Sequence, residues 1–318
     1  MASAIGAAIQ ELPLPERRSG ASQWPRYLLR FARRKPLGGF GGAIVLVMII
    51  CALFADLRLI GSETPLLAPS HYDDQNIRNI DQGPSAAHWL GTDKLGRDIF
   101  SRIIYGARFA AIIGFSAVVI SSVVALALGT LSAYFSGWTD TIIQRLIDVI
   151  LAIPPLVLLV FMLSVFTARS GPYVKMFWIT AIIGLLLAAA SVRVVRGAAL
   201  SVAANQYVDA ARTIGAGNAR IIFRHLVPNV VPIVIVLATV QLGTAILVSA
   251  AVSFLGLGIE DPFPDWGTML SITGASQFRA EPIQAVWPGL AIALAVYGFN
   301  MLGDALRDVL DPRLRGGR

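Results

Sequence analysis

Residues Asn205–Asn229 read NQYVDAARTIGAGNARIIFRHLVPN, a polar island between two long apolar stretches. Gly215 and Gly217 are suited to the left-handed or turn conformations that end a helix, and Asn218 is a good cap for a second one. Pro228 then interrupts the pattern before the chain becomes apolar again. Tyr207, Ala210, Ala211 and Ile214 recur at three- and four-residue spacing, as do Ile222, Phe223 and Leu226, while Arg212, Arg220 and Arg224 lie off those stripes. A short helix pair standing out of a membrane cannot bury such a face within itself, so this pattern predicts a partner surface. The plainer alternative is an ordinary amphipathic hairpin joining two spans.

The rest of the chain supplies the membrane. Of its 318 residues, 56% are hydrophobic and 14% charged, and the mean hydropathy is +0.69, too apolar for a soluble domain of this size. Charge-free stretches fall at Gly38–Ala55, Phe109–Phe135, Val149–Ala168, Met176–Val192, Leu226–Ile259 and Pro282–Gly303. A helix rises about 1.5 Å per residue, so a hydrocarbon core of about 30 Å needs roughly 20 residues. These stretches predict six transmembrane helices in an all-α polytopic membrane protein. The late start of the first run, and its lack of a small-residue cleavage site, predict an uncleaved span rather than a signal peptide.

Orientation follows from Lys and Arg. With the amino terminus in the cytoplasm, inside segments hold 17 basic residues and outside segments 9, against 8 and 11 acids. The positive-inside rule then puts both termini in the cytoplasm. The net charge of +7 is thereby membrane topology spread over several loops, not a nucleic-acid platform. The organisation expected is a cytoplasmic tail at 1–37 with an interfacial amphipathic helix around Trp24–Phe31, and a first span at 38–57. An extracytoplasmic loop at 58–104 follows, then a five-helix core at 105–306 containing the 205–229 hairpin, and a tail at 307–318.

Several chemistries are missing from the sequence. No G-x4-G-K-[ST] phosphate loop surrounds Lys35, Lys94 or Lys175, so any ATP and Mg would be bound by other polypeptides. There is no H-E-x-x-H or G-x-S-x-G, and His71, His88 and His225 all lie outside the apolar cores. No catalytic, cofactor-binding or metal-ligating residue is expected. Proton-coupled carriage calls for acids or histidines within the spans, and the six stretches have none. An ion-coupled secondary transporter or a channel without an ATPase remains the alternative from another class.

Asp209-Ala210-Ala211, three residues, Gly215, nine residues, then His225-Leu226-Val227-Pro228 resembles the EAA loop of ABC importer permeases, Glu-Ala-Ala-x3-Gly-x9-Ile-x-Leu-Pro. Asp209, His225 and Val227 depart from it. HWLGTDKLGRDIFSRIIYGAR from His88 resembles the C-type permeases of the dipeptide, oligopeptide and nickel branch, as does Gly303–Arg313 near the end. The resemblance runs from about Arg34 to Arg315. It implies a type I importer permease with cytoplasmic coupling helices between spans 4 and 5, forming half of a pore in the bacterial inner membrane. The implied partners are a second homologous permease, two cytoplasmic ABC ATPases and an extracytoplasmic substrate-binding protein. Peptides or related solutes such as nickel chelates are the implied cargo. On that resemblance Asp209, Ala210, Ala211, Arg212, Gly215, Arg220, Arg224 and Pro228 are the expected ATPase contact.

Three stretches are candidates for a gate or an interface. From His88, Thr92 or Asp93 is placed to cap a helix carrying Ile99, Ile103 and Ile104, either a docking scaffold or a structural collar. In Ser136–Pro155, Arg145 and Asp148 are spaced to pair on one helix face, as a structural ion pair or a gate, and Pro154-Pro155 should kink or break the third span. In SFLGLGIEDPFPDWGTML, Ser253–Leu270, the density around Pro262, Pro264 and Trp266 fits a re-entrant outer gate or a rigid turn.

Overall fold

A computed structural model describes residues 35–56, 65–167, 171–276 and 283–310. The segments expected around Trp24–Phe31 and at Asp311–Arg313 lie outside the described residues. Long helices make up the fold, with no named strand among the described residues. They are α1 (Pro36–Phe54), α2 (Ile99–Phe135), α3 (Gly137–Ala152), α4 (Pro155–Thr167), α5 (Pro172–Ala203), α6 (Gln206–Thr213), α7 (Asn218–Ile221), α8 (Val227–Phe254), α9 (Trp266–Ser276) and α10 (Ile283–Leu310).

Helices α2 and α5 form the central pair. Gly184 on α5 sits where a Cβ would lie 2.7 Å from the Ala117 carbonyl oxygen and 2.9 Å from Ile120, so the two backbones meet at near contact. This small-residue approach packs helices where lipid is as apolar as the side chains. Around the pair, α8 and α10 cover one side and α1 lies along α10. The main core includes Ile113, Ala117, Ile182, Ile183, Ala245, Ile246 and Phe299, all nearly free of solvent contact. Inside it, Gln241 on α8 accepts from Ser121 Oγ at 2.9 Å and donates to the Leu187 carbonyl at 3.3 Å and to Ser191 Oγ. One side-chain amide thus links α8, α2 and α5, and no donor or acceptor of Gln241 is left facing hydrocarbon alone.

Among the described residues five helices are long and apolar enough to cross a bilayer, or six if the α3–α4 pair, bent by 92°, counts as one span. The break falls where Pro154 and Pro155 were expected to make one. Ile153, held by the following proline, is extended (φ −95°, ψ 133°) and cannot continue the helix. At 13 residues α4 is about 20 Å long, well short of the hydrocarbon thickness. Ion pairs fasten α3 to α5. Asp140 takes two bonds of 2.6 Å from Arg196, and Asp148 pairs with Arg193 as well as with Arg145 at 3.6 Å.

Helix α2 begins at neither Thr92 nor Asp93. Its cap is Asp98, whose Oδ2 accepts from the Ser101 N–H at 2.7 Å. Gly91 and Gly96 both have positive φ, so residues 92–97 turn tightly and Asp93 takes the N–H groups of Leu95 and Arg97. From Asp98 the helix runs 37 residues without interruption, about 55 Å. It therefore reaches from one end of the bundle to the other.

Candidate functional site

The polar island forms two helices joined by a tight turn. Helix α6 ends in paired bonds, Ala216 N–H to the Ala211 carbonyl at 3.0 Å and Gly215 N–H to the Arg212 carbonyl at 2.9 Å. That is the Schellman arrangement, and it needs a left-handed residue after the cap. Gly215 provides it at φ 82°. Gly217 does not share that role: its φ is −68°, ordinary for any residue. Asn218 is the first residue of α7 rather than its cap, and its side chain accepts from the Tyr134 hydroxyl at 2.8 Å instead.

Pro228 does not end the helical path. After α7 the chain passes through a five-residue π-helical turn, Ile222–Leu226, and continues as α8, with Pro228 in the first turn of that helix. The wider turn carries the proline ring and its missing donor without a break.

The expected stripes divide between two surfaces. Val208, Ile221 and Leu226 are buried together against Tyr134, Val202, Ala203 and Ala216, which fixes the hairpin to the bundle. Ala211 and Ile222 also turn inward, but Ile214 (86% exposed) and Phe223 (72%) face out. Between α6 and α7 lies an open groove of about 600 Å³, walled by Tyr207, Ala210, Ala211, Ile214 and Ala216. Arg220, Arg224 and His225 line its other side. Two arginines that fell off the apolar stripe thus share one cleft with it, because the turn at Gly215 folds α7 back beside α6. No carboxylate among the described residues pairs with Arg220 or Arg224. Arg212 behaves differently: it pairs with Asp209 at 3.3 Å and lies over the Tyr134 ring at 5.5 Å. The hairpin therefore presents an apolar cup with a positive lip.

At the opposite end of the bundle, ionic contacts hold the Ser253–Leu270 stretch. Arg97 and Arg102 are both buried. Arg97 bonds to Asp93 at 2.7 Å and to both Asp261 oxygens at 3.3 and 3.4 Å, and Arg102 reaches Asp261 at 3.2 Å and the Pro262 carbonyl at 3.2 Å. Two guanidinium groups with several acceptors each keep these buried charges compensated. Glu260 pairs with Lys175 at the start of α5, 2.7 Å away. Trp266 is buried, and its indole N–H donates to the Ile103 carbonyl at 3.1 Å. It reaches α2 only because Gly106 has no side chain: a Cβ there would lie 2.4 Å from the indole nitrogen and 2.9 Å from the Pro264 carbonyl. Asp265 caps α9 through the N–H groups of Gly267 and Thr268, at 2.9 and 3.1 Å. Burial pushes its carboxyl above the usual carboxylate range, opposed by the hydrogen bond from the Thr268 backbone and others from Ser253, Gly267 and Thr268.

Of the hairpin residues singled out from sequence, Ala210, Ala211, Arg220 and Arg224 line the groove. Asp209 pairs with Arg212, which turns toward α2, Gly215 makes the turn, and Pro228 lies in the first turn of α8. The gate candidates are not one cluster. Arg145, Asp148, Pro154 and Pro155 belong to α3–α4, whereas Pro262, Pro264 and Trp266 belong to the collar at the far end. Sequence reasoning missed Tyr134, Arg97, Arg102, Asp140 and Arg196. The last two carried a signal, as isolated charges beside apolar runs. Nothing in the sequence placed Tyr134 beside Asn218. Among the described residues no group of three or more His, Cys, Asp or Glu could hold a metal ion.

Comparison with known proteins extends these observations along almost the whole chain. Residues 121–316 match the family described as the binding-protein-dependent transport system inner membrane component, and residues 22–84 match the N-terminal TM domain of oligopeptide transport permease C. The dipeptide transport system permease protein of Alkalihalophilus pseudofirmus is 38% identical over 306 residues, covering 95% of this chain and 94% of the relative. The glutathione transport system permease protein of Pectobacterium atrosepticum is 36% identical over 309 residues, 97% of each. That of Escherichia coli is 37% identical over 310 residues, 98% of this chain and 97% of its own.

Proposed function

The chain belongs to the family of binding-protein-dependent transport system inner membrane components, as an ABC importer permease of the C type, and on that premise we propose that it moves peptides under the drive of a separate ATPase. The observation that carries this reading is the hairpin groove: an apolar cup with Arg220 and Arg224 on its rim and no acid of its own to neutralise them. Such a surface fits a protein groove offering an apolar side chain and a carboxylate edge, as a cytoplasmic ATPase would. The excess of Lys and Arg on the hairpin side supports a cytoplasmic location for it and for both termini.

In this reading two ATPases hold ATP and Mg, a second permease completes the pore, and a substrate-binding protein delivers solute to the collar end. Di- and oligopeptides or glutathione-like molecules are the cargo that the relatives' names support, with nickel chelates carried by the same branch as an outlier. Asp209, Ala210, Ala211 and Gly215 shape the contact, Arg220 and Arg224 meet acids on the ATPase, and Pro228 starts the span that follows. Closure of the ATPases would push the hairpin as a rigid body and rock the bundle.

Co-expression with the neighbouring genes and purification through a tag on this chain tests the proposal. An ATPase pair should be recovered with the wild-type chain, and Ala211→Trp, which fills the groove wall, should release it while the permease stays in the membrane fraction. Recovery of undiminished ATPase with Ala211→Trp would refute the groove as the contact.

A further inference from the structure

Helices α5 and α8 join the hairpin through the chain and reach the collar, α5 through Lys175 to Glu260 and α8 through its end at Phe254, whereas α2 meets both only through side-chain contacts. At the collar end it is tied by Arg102 to Asp261 at 3.2 Å, by the Ile103 carbonyl to Trp266 at 3.1 Å, and by Arg108 to Asp56 at 2.9 Å. At the hairpin end the tie is Tyr134, one residue before the helix stops at Phe135. The Tyr134 hydroxyl donates to Asn218 on α7 at 2.8 Å. Its ring lies under the Arg212 guanidinium of α6 at 5.5 Å and packs on the buried cluster of Val208, Ile221 and Leu226. A single side chain thus holds both halves of the hairpin by different chemistry: a hydrogen bond to one helix and a cation–π contact to the other.

We propose that Tyr134 is the positioning residue through which movement of the hairpin is delivered to α2 and along it to the Arg97–Asp261 collar. This rests on the hairpin being the ATPase contact. Without the tie, a push on α6 and α7 bends the hairpin about its own ends in α5 and α8, and the collar receives only part of the displacement. With it, the uninterrupted 37-residue helix moves as a rod. Tyr134 is not on the groove wall, so its substitution leaves the ATPase seat in place.

The test uses the whole complex in proteoliposomes with ligand-loaded binding protein, and reads solute moved per ATP hydrolysed. Tyr134→Phe and Asn218→Ala remove the same bond from opposite ends. Each should lower that ratio roughly fivefold, the worth of one net hydrogen bond, with ATPase recovery and ATP turnover unchanged. The double variant should be no worse than either single one, because the two share one interaction. Asn218→Asp keeps an acceptor for the hydroxyl and should restore the ratio. A wild-type ratio in both single variants, or defects that multiply in the double, would overturn the proposal. Failure to recover an ATPase with the unsubstituted chain would overturn the hairpin reading itself, and it is visible before any substitution is made.

Discussion

Gly215 offers the sharpest test of the hairpin, because its backbone and its surroundings make separate demands. Its φ is 82°, yet a Cβ built there would meet no atom within 4 Å. Gly215→Ala therefore incurs only the left-handed backbone penalty, about 1–2 kcal/mol, or roughly a tenfold loss in the population of the closed turn. Gly215→Asn should cost less, since a short polar side chain tolerates this region. Gly215→Pro requires φ near −65° and deletes the N–H that bonds the Arg212 carbonyl at 2.9 Å. That loss should reach about 3 kcal/mol or more, enough to open the turn in most molecules. ATP-dependent uptake by the reconstituted complex should then fall in the order Gly, Asn, Ala, Pro, with equal amounts of permease inserted, since α5 and α8 form without the turn. Full uptake by Gly215→Pro, or an Asn variant as poor as the Pro variant, would refute the assignment of a rigid left-handed turn to the coupling surface.

The collar supplies further tests, read as unfolding temperature in detergent. Gly106→Ala drives a methyl into Trp266 and should destabilise by about 1–3 kcal/mol; an unchanged unfolding temperature would mean that Trp266 does not sit against α2. Arg97→Met strips Asp93 and Asp261 of a buried partner and should cost about 3 kcal/mol. A neutral result there would show the network to be solvated. Asp265 has a carboxyl raised by burial, so its favourable contribution is complete below the ordinary carboxylate range and is lost as pH rises through the raised value. Asp265→Asn keeps an acceptor for the α9 cap without the charge. It should unfold at a higher temperature than the wild type at pH 7, with the gap closing toward acid; a gap that widens in acid would contradict the burial argument.

The sequence alone determined the solvent of this protein. Long charge-free runs have no place in a domain of this size except a bilayer, and the Pro154-Pro155 pair marked where the third run had to break. It also located the hairpin and narrowed its turn to Gly215 or Gly217, because local backbone chemistry needs only neighbouring residues; the structure gives the left-handed position to Gly215. Tertiary structure decided which faces meet protein. The three- and four-residue stripes mark apolar spacing but not which apolar side chains the bundle covers and which are left for a partner, so they could not say that Val208 and Leu226 go inward while Ile214 and Phe223 face out. Nor could they bring Arg220 and Arg224 to the same groove, since that depends on how the turn folds α7 back. The ties from Tyr134 to Asn218 and from Arg97 to Asp261 join residues far apart in the chain. Such pairs leave no periodic trace, because what selects them is the meeting of two helices in space.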